Sequence, residues 1–81
     1  MERSEILTAV HEVFSEILPD YESSRVSEDS PLSDVAPSVD SITISELILG
    51  IEDRFEITVP DNAFLPETKI SDIVRFVDGR I

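Results

Sequence analysis

Apolar residues recur along this chain at helical intervals in three stretches, and a long irregular connection separates the first stretch from the second. In Ser4 to Leu18, the set Leu7, Val10, Phe14 and Ile17 advances in steps of three and four, Leu18 follows, and Ile6 and Val13 widen the stripe. A helix is expected there, with Ser4 as N-cap and Glu5 in its first turn. Pro19 should end it, because proline has no N–H to donate and does not fit a helix interior. Residues 19–39 hold Pro19, Pro31 and Pro37, six serines and no regular period. Unstructured connections beyond about 15 residues are uncommon in compact domains. Tyr21, Val26, Leu32 and Val35 are therefore expected to tack this one onto the remainder; a disordered linker is the alternative.

The second pattern opens at Asp40-Ser41-Ile42, runs to about Phe55 and stops before Val59-Pro60-Asp61. At about 100° per residue, Ile44, Leu47, Ile48, Ile51 and Phe55 share one broad arc, which is the expected core stripe. On the opposite side lie Ile42 and Leu49, with Glu46 and Asp53 interleaved and Ser45 beside them. Scattered surface aliphatics are ordinary, so it is the position of this strip beside Ser41 that marks it as a binding surface. A partner could bury the two aliphatics while its basic side chains meet Glu46, Asp53 and the nearby Glu52. Gly50 costs the same helix about 1 kcal/mol relative to alanine. Close approach of a neighbouring helix is the favoured explanation; room for a bound chain is the other.

The remaining elements are shorter. Asp61 to Leu65 has a capping residue, the apolar pair Phe64-Leu65 and then Pro66, which predicts one or two helical turns. From Lys69 to Asp78, Ile70, Ile73, Val74 and Val77 restore the helical period, with Thr68 or Ser71 as cap, Arg75 late in the run and Gly79 as terminator. Val26, Thr58 and Val59 offer too little alternation for a sheet, and no internal repeat is visible. The expected fold is all-α: a small four-helix bundle of three longer helices and one short one, with a long first loop.

Composition refines this picture. Eighty-one residues, 41% hydrophobic and 30% charged, suit one small domain over residues 1–81. Eighteen acidic residues against six basic ones give a net charge of −12, which repels nucleic-acid phosphates and anionic lipid headgroups and favours basic partners. Without cysteine there is no disulfide or thiolate metal site, and one histidine leaves little for metal binding or base catalysis. The charged start Met1-Glu2-Arg3-Ser4-Glu5, and no apolar run near the roughly 18 residues of a membrane span, lead us to expect neither signal peptide nor anchor. A cytoplasmic monomer is the expectation.

Ser41 is the position with distinctive chemistry. A serine at a helix start is exposed, lies over the positive end of the helix dipole, and can carry a phosphodiester without disturbing a core; Asp40 is the natural N-cap. Eight serines lie between Ser23 and Ser45, but those in the loop lack a helix start beside a docking face and read as turn formers. Ser27-Glu28-Asp29-Ser30 has the look of a phosphorylation target but is the weaker reading, and it lacks the ligand pattern and glycine of a calcium loop. Serine nucleophile chemistry needs a base within reach. The lone His11 lies at the edge of the first apolar stripe and reads as a partly buried structural side chain, while Glu52 and Asp53 point in different directions around their helix. No catalysis by this chain alone is expected.

These residues resemble the acyl carrier protein family, whose members carry cargo on a phosphopantetheine arm attached to a serine. The family's Asp-Ser-Leu opening, Glu-Leu, acidic cluster, Phe and Ile/Val-Pro-Asp read here as Asp40-Ser41-Ile42, Glu46-Leu47, Glu52-Asp53-Arg54-Phe55 and Val59-Pro60-Asp61, without a gap. Helix spacing, long first loop and acidity extend the resemblance over nearly the whole chain. It implies 4'-phosphopantetheine on Ser41, with Asp40 flanking it, and a partner-docking set of Ile42, Glu46, Leu49, Glu52 and Asp53. The implied partners are a phosphopantetheinyl transferase and acyl- or aminoacyl-loading and downstream biosynthetic enzymes with basic docking patches. Two departures point to a specialised pathway: Val35-Ala36-Pro37-Ser38-Val39 approaches Asp40 with two extra residues and no glycine, and Thr43 stands where aspartate is common. Phe64-Leu65 is bulkier than the family's usual residues there, which implies little sequestration of cargo. The run Ile51 to Pro60 and the following Phe64 are also similar to D-alanyl carriers, so aminoacyl or peptidyl cargo stays open beside acyl cargo in fatty-acid, specialised lipid or polyketide synthesis. An unmodified acidic interaction module is the alternative of a different class.

Overall fold

The computed structural model describes residues 1–35 and 40–81, so residues 36–39 of the extended approach to Ser41 lie outside the described residues. The described residues form four α-helices: α1 (Arg3–Ile17), α2 (Leu32–Val35), α3 (Ser41–Phe55) and α4 (Ile70–Asp78). No strand occurs among the described residues, only an isolated antiparallel bridge between Pro31 and Lys69. The all-α expectation of three longer helices and one short helix holds, but the short helix lies elsewhere than its sequence signal placed it.

Helix α1 begins at Arg3, with Glu2 in place of Ser4 as N-cap, because the Glu5 carboxylate reaches back to accept the Glu2 N–H at 3.3 Å. It ends where Pro19 requires. Leu18, which precedes the proline, is extended, and its N–H makes the last helical bond to Phe14 O at 2.8 Å. The buried face is Ile6, Ala9, Val10, Val13 and Phe14, rotated from the expected stripe so that Leu7 and Ile17 sit at its margin.

The 19–39 connection is tied to the core at several points of its described part. Tyr21, Val26 and Val35 pack against the core and Leu32 is within it. Pro31 opens α2, whose first two N–H groups, on Leu32 and Ser33, donate to Thr68 O and Pro66 O at 2.9 Å each. Ile70 N–H and Ser71 N–H donate in return to Ser30 O and Glu28 O, at 3.2 and 2.9 Å. A four-residue helix is therefore held by the chain just before α4.

The one or two turns of helix expected over Asp61–Leu65 are absent; that segment is a series of turns. Pro66 bars a helix from running on, the Ala63 N–H bonds back to Pro60 O in a tight turn, and the Leu65 N–H is taken by Thr68 Oγ1 at 2.8 Å. Phe64 turns inward and Leu65 outward. With the Thr68 hydroxyl spent in this way, the N-cap of α4 is neither Thr68 nor Ser71 but Lys69, whose N–H donates to the Asp72 carboxylate at 3.1 Å. Helix α4 stops at Gly79, which keeps a right-handed φ of −75°; the left-handed C-cap belongs to Glu56, at the end of α3, with φ of 55°.

The core unites α1, α3 and α4 with Leu32, Val59 and Phe64 from the connections. Gly50 marks the α1–α3 crossing. A Cβ placed there would come within 2.7 Å of Val13 Cγ1 and 2.9 Å of Ile17 Cδ1, so the glycine answers to close helix approach.

Candidate functional site

Helix α3 buries Ile44, Leu47, Ile48, Ile51 and Phe55, as its repeat requires, and this burial fixes what its other side can present. Ile42 is 69% exposed and Leu49 60%. Glu46 and Asp53 are exposed on the same strip, so the structure brings together four of the five side chains read as a docking face. Glu52 differs. One of its carboxylate oxygens accepts the Val59 N–H at 2.9 Å, which ties the end of α3 to the chain that follows it and holds the carboxylate away from the strip.

Ser41 is the first residue of α3 and is exposed. Asp40 caps the helix with extended backbone, its Oδ1 accepting the Thr43 N–H at 2.8 Å while its own carbonyl accepts from Ile44. These bonds from Thr43 hold the Asp40 carboxyl below its ordinary range, so it remains an anion at neutral pH. A phosphate on the neighbouring serine would share the positive end of α3 with that carboxylate.

Beside Ser41 lies an open cleft of about 530 Å³. Its helical wall is Ser41, Ile44 and Ser45, with Asp40 at the mouth; its other wall is the 61–66 turn segment, with Asp61, Asn62 and Leu65 towards solvent and Phe64 at the floor. The sequence offered no sign of Asn62 or Pro66 here, because turn residues on an aperiodic segment carry no facing information. Phe64 is 2% exposed and meets Phe76 edge-on, the ring centroids 5.9 Å apart. The cleft thus ends at a closed aromatic pair.

His11 is remote from this site. Its Nδ1 is paired with the Tyr21 hydroxyl, and Tyr21 stacks edge-on against Phe14. Burial lowers the His11 pKa, partly opposed by Glu28, and pushes Tyr21 up to about 12. The phenol therefore keeps its proton, and its hydrogen bond with the imidazole Nδ1 fastens the first loop to α1. Among the described residues no group of acidic or histidine side chains is arranged to hold a metal ion, and no helix is long and apolar enough to cross a membrane.

The family model for the phosphopantetheine attachment site matches residues 8–77. The chain belongs to the acyl carrier protein family. It is 30% identical to the acyl carrier protein of Exiguobacterium sibiricum over the full length of both chains. It is 32% identical to that of Prochlorococcus marinus over 99% of this chain and 98% of the other. A match to the acyl carrier protein of Campylobacter fetus is 38% identical but spans 49% of this chain and 52% of that one. No solved structure matches at a significant level. As a carrier of this family the chain works with a covalently bound 4'-phosphopantetheine, and so with partner enzymes that attach the group and use its cargo. An exposed serine at the capped start of a long helix, opening on a cleft with room beside it, fits such a group.

Proposed function

We propose that the chain carries acyl intermediates as thioesters on a 4'-phosphopantetheine arm attached to the Ser41 hydroxyl, and that it is itself non-catalytic. The observation that carries this reading is Ser41 itself: exposed, first in α3, capped by Asp40, and next to a strip of exposed aliphatic and acidic side chains. When bound, the group supplies a thiol at the end of a flexible tether. The protein's own residues do the remaining work. The N-terminus of α3 offsets part of the phosphodiester charge, and Asp40 holds the helix start in shape.

Ile42 and Leu49 are the apolar contacts proposed for the transferase and for successive biosynthetic enzymes, with Glu46 and Asp53 meeting basic side chains at the rim; Glu52 contributes less because of its bond to Val59. Such rim charges mainly set encounter rate and orientation, which suits weak, brief docking. Tethering raises the concentration of cargo at each enzyme without tight binding. The names of the curated relatives favour acyl over aminoacyl cargo, in fatty-acid or specialised lipid or polyketide synthesis. Thr43 and the extended approach to Asp40 favour a specialised pathway.

The absence of cysteine provides a direct test. After treatment with a transferase and a phosphopantetheine donor, a thiol reagent should find one thiol per chain, against none before treatment and none in Ser41→Ala. A thiol gained equally by Ser41→Ala, or none gained with any competent transferase, would overturn the reading.

A further inference from the structure

Helix α3 ends on an arrangement that one residue holds together. Glu56, just past the helix, has left-handed backbone with φ of 55°, a conformation disfavoured for any residue with a Cβ. Such a residue persists only where its surroundings over-determine it. Glu52 supplies those surroundings. Its carbonyl oxygen accepts the Glu56 N–H and the Ile57 N–H, the second at 3.3 Å, and its carboxylate accepts the Val59 N–H at 2.9 Å. One residue thus receives three N–H groups of the chain leaving the helix.

The carboxylate bond reaches furthest of the three. Val59 is buried and Pro60 has no N–H, so the Val59 amide is the last donor before the 61–66 turn segment that faces Ser41. Fixing it sets the direction in which that segment departs. Glu52 is half-buried, whereas Asp53, the next residue, is exposed on the strip with Glu46. Among the described residues no basic side chain pairs with Glu52. A carboxylate in the last turn of a helix also meets the negative end of the dipole. The Val59 N–H offsets that repulsion at all times, where a partner's cation would do so only while docked. We propose that Glu52 is a positioning residue for the wall opposite Ser41, and that the charge partners meet on α3 is that of Glu46 and Asp53. The bond rather than the charge is then the property that counts, so glutamine, which offers the same oxygen, should replace Glu52 and alanine should not. The consequence for carrier function rests on Ser41 as the attachment site.

Hydrogen exchange at the Val59 amide and transferase kinetics, both on the full chain, test the proposal together. In Glu52→Ala the Val59 amide should exchange about tenfold faster than in the wild type, and the amide signals of Asp61–Leu65 should shift. Glu52→Gln should restore both. In transfer of the arm at low salt, Asp53→Asn should raise KM about threefold with kcat unchanged, an effect that high salt removes. Glu52→Gln should keep the wild-type KM and its salt dependence. A rise in KM for Glu52→Gln equal to that for Asp53→Asn, or Val59 exchange unchanged in Glu52→Ala, would overturn the proposal. Should Glu52→Ala fold poorly, Glu52→Gln set against Asp53→Asn still decides it. Failure of the wild type to accept an arm at Ser41 would overturn the carrier reading alone, because Val59 exchange is measured without the arm.

Discussion

One wall of the cleft beside Ser41 is a 15-residue helix whose cap, buried stripe and exposed strip all follow a single repeat. The facing wall, Asp61–Pro66, has no repeat and is held by individual bonds: Ala63 N–H to Pro60 O, Leu65 N–H to Thr68 Oγ1, and Ser33 N–H to Pro66 O from the distant α2. The helical wall can change its exposed residues freely, because its shape is set by the opposite face. The turn wall has no such separation: Phe64 and Leu65 are neighbours in sequence, yet one is in the core and the other at the cleft rim.

The largest expected effect is on the turn wall. Phe64→Ala removes a buried ring that closes the cleft and should cost about 3–5 kcal/mol in urea unfolding. A loss below about 1 kcal/mol would show that the turn segment is not part of the cooperative core. The helical wall is less sensitive except where it crosses α1. Gly50→Ala gains about 1 kcal/mol in helix propensity, but its methyl must displace the stiff Val13 side chain, for which overpacking costs of about 1–3 kcal/mol are usual. A small net loss of stability is expected, and a clear gain would contradict the close crossing.

Smaller still is the pH dependence that His11 gives the first loop. Its folded-state pKa lies below the unfolded value of about 6.5. The unfolded chain therefore binds the proton first, and the contribution is fully present above about pH 6.5 and is lost as pH falls through the lowered folded value. Urea midpoints followed downward from pH 7.5 should fall more for the wild type than for His11→Gln. The difference between the two is the useful quantity, because protonating carboxylates relieves repulsion in both. An identical slope would remove His11 from the account. The smallest effect on stability belongs to the exposed strip: Ile42→Ala and Leu49→Ala should alter unfolding by no more than about 0.5 kcal/mol. Both should slow transfer of the arm by the transferase at limiting carrier concentration. Unchanged transfer would remove the aliphatic pair from the docking face.

The same contrast explains what was legible in the sequence. Helix α3 could be read almost residue by residue, because Asp40 is a capping type in a capping place and the 3.6-residue period separates Ile44 from Ile42 without reference to anything distant. The caps of α1 and α4 were misread because Glu5 and Asp72 reach back three residues to Glu2 and Lys69, leaving Ser4 and Ser71 unused as caps. The helix over Asp61–Leu65 was misread because a capping residue and an apolar pair mimic a helix start, while the bonds that decide the matter come from Thr68 and from α2. Helix α2, four residues long, is too short to show a period. At the site, Ser41 and its strip were legible from type and spacing. Asn62 and Leu65 became part of it through tertiary folding alone.

The central claim is that one hydroxyl among the serines between Ser23 and Ser45 receives the arm, because among the described residues only Ser41 stands at the start of a long helix beside an exposed strip. Tandem mass spectrometry of proteolytic fragments from the fully modified chain tests this directly. The arm should map to Ser41 alone at one per chain, and Ser41→Ala should stay unmodified. An arm found on a loop serine such as Ser27 or Ser30, with Ser41 bare, would contradict the account.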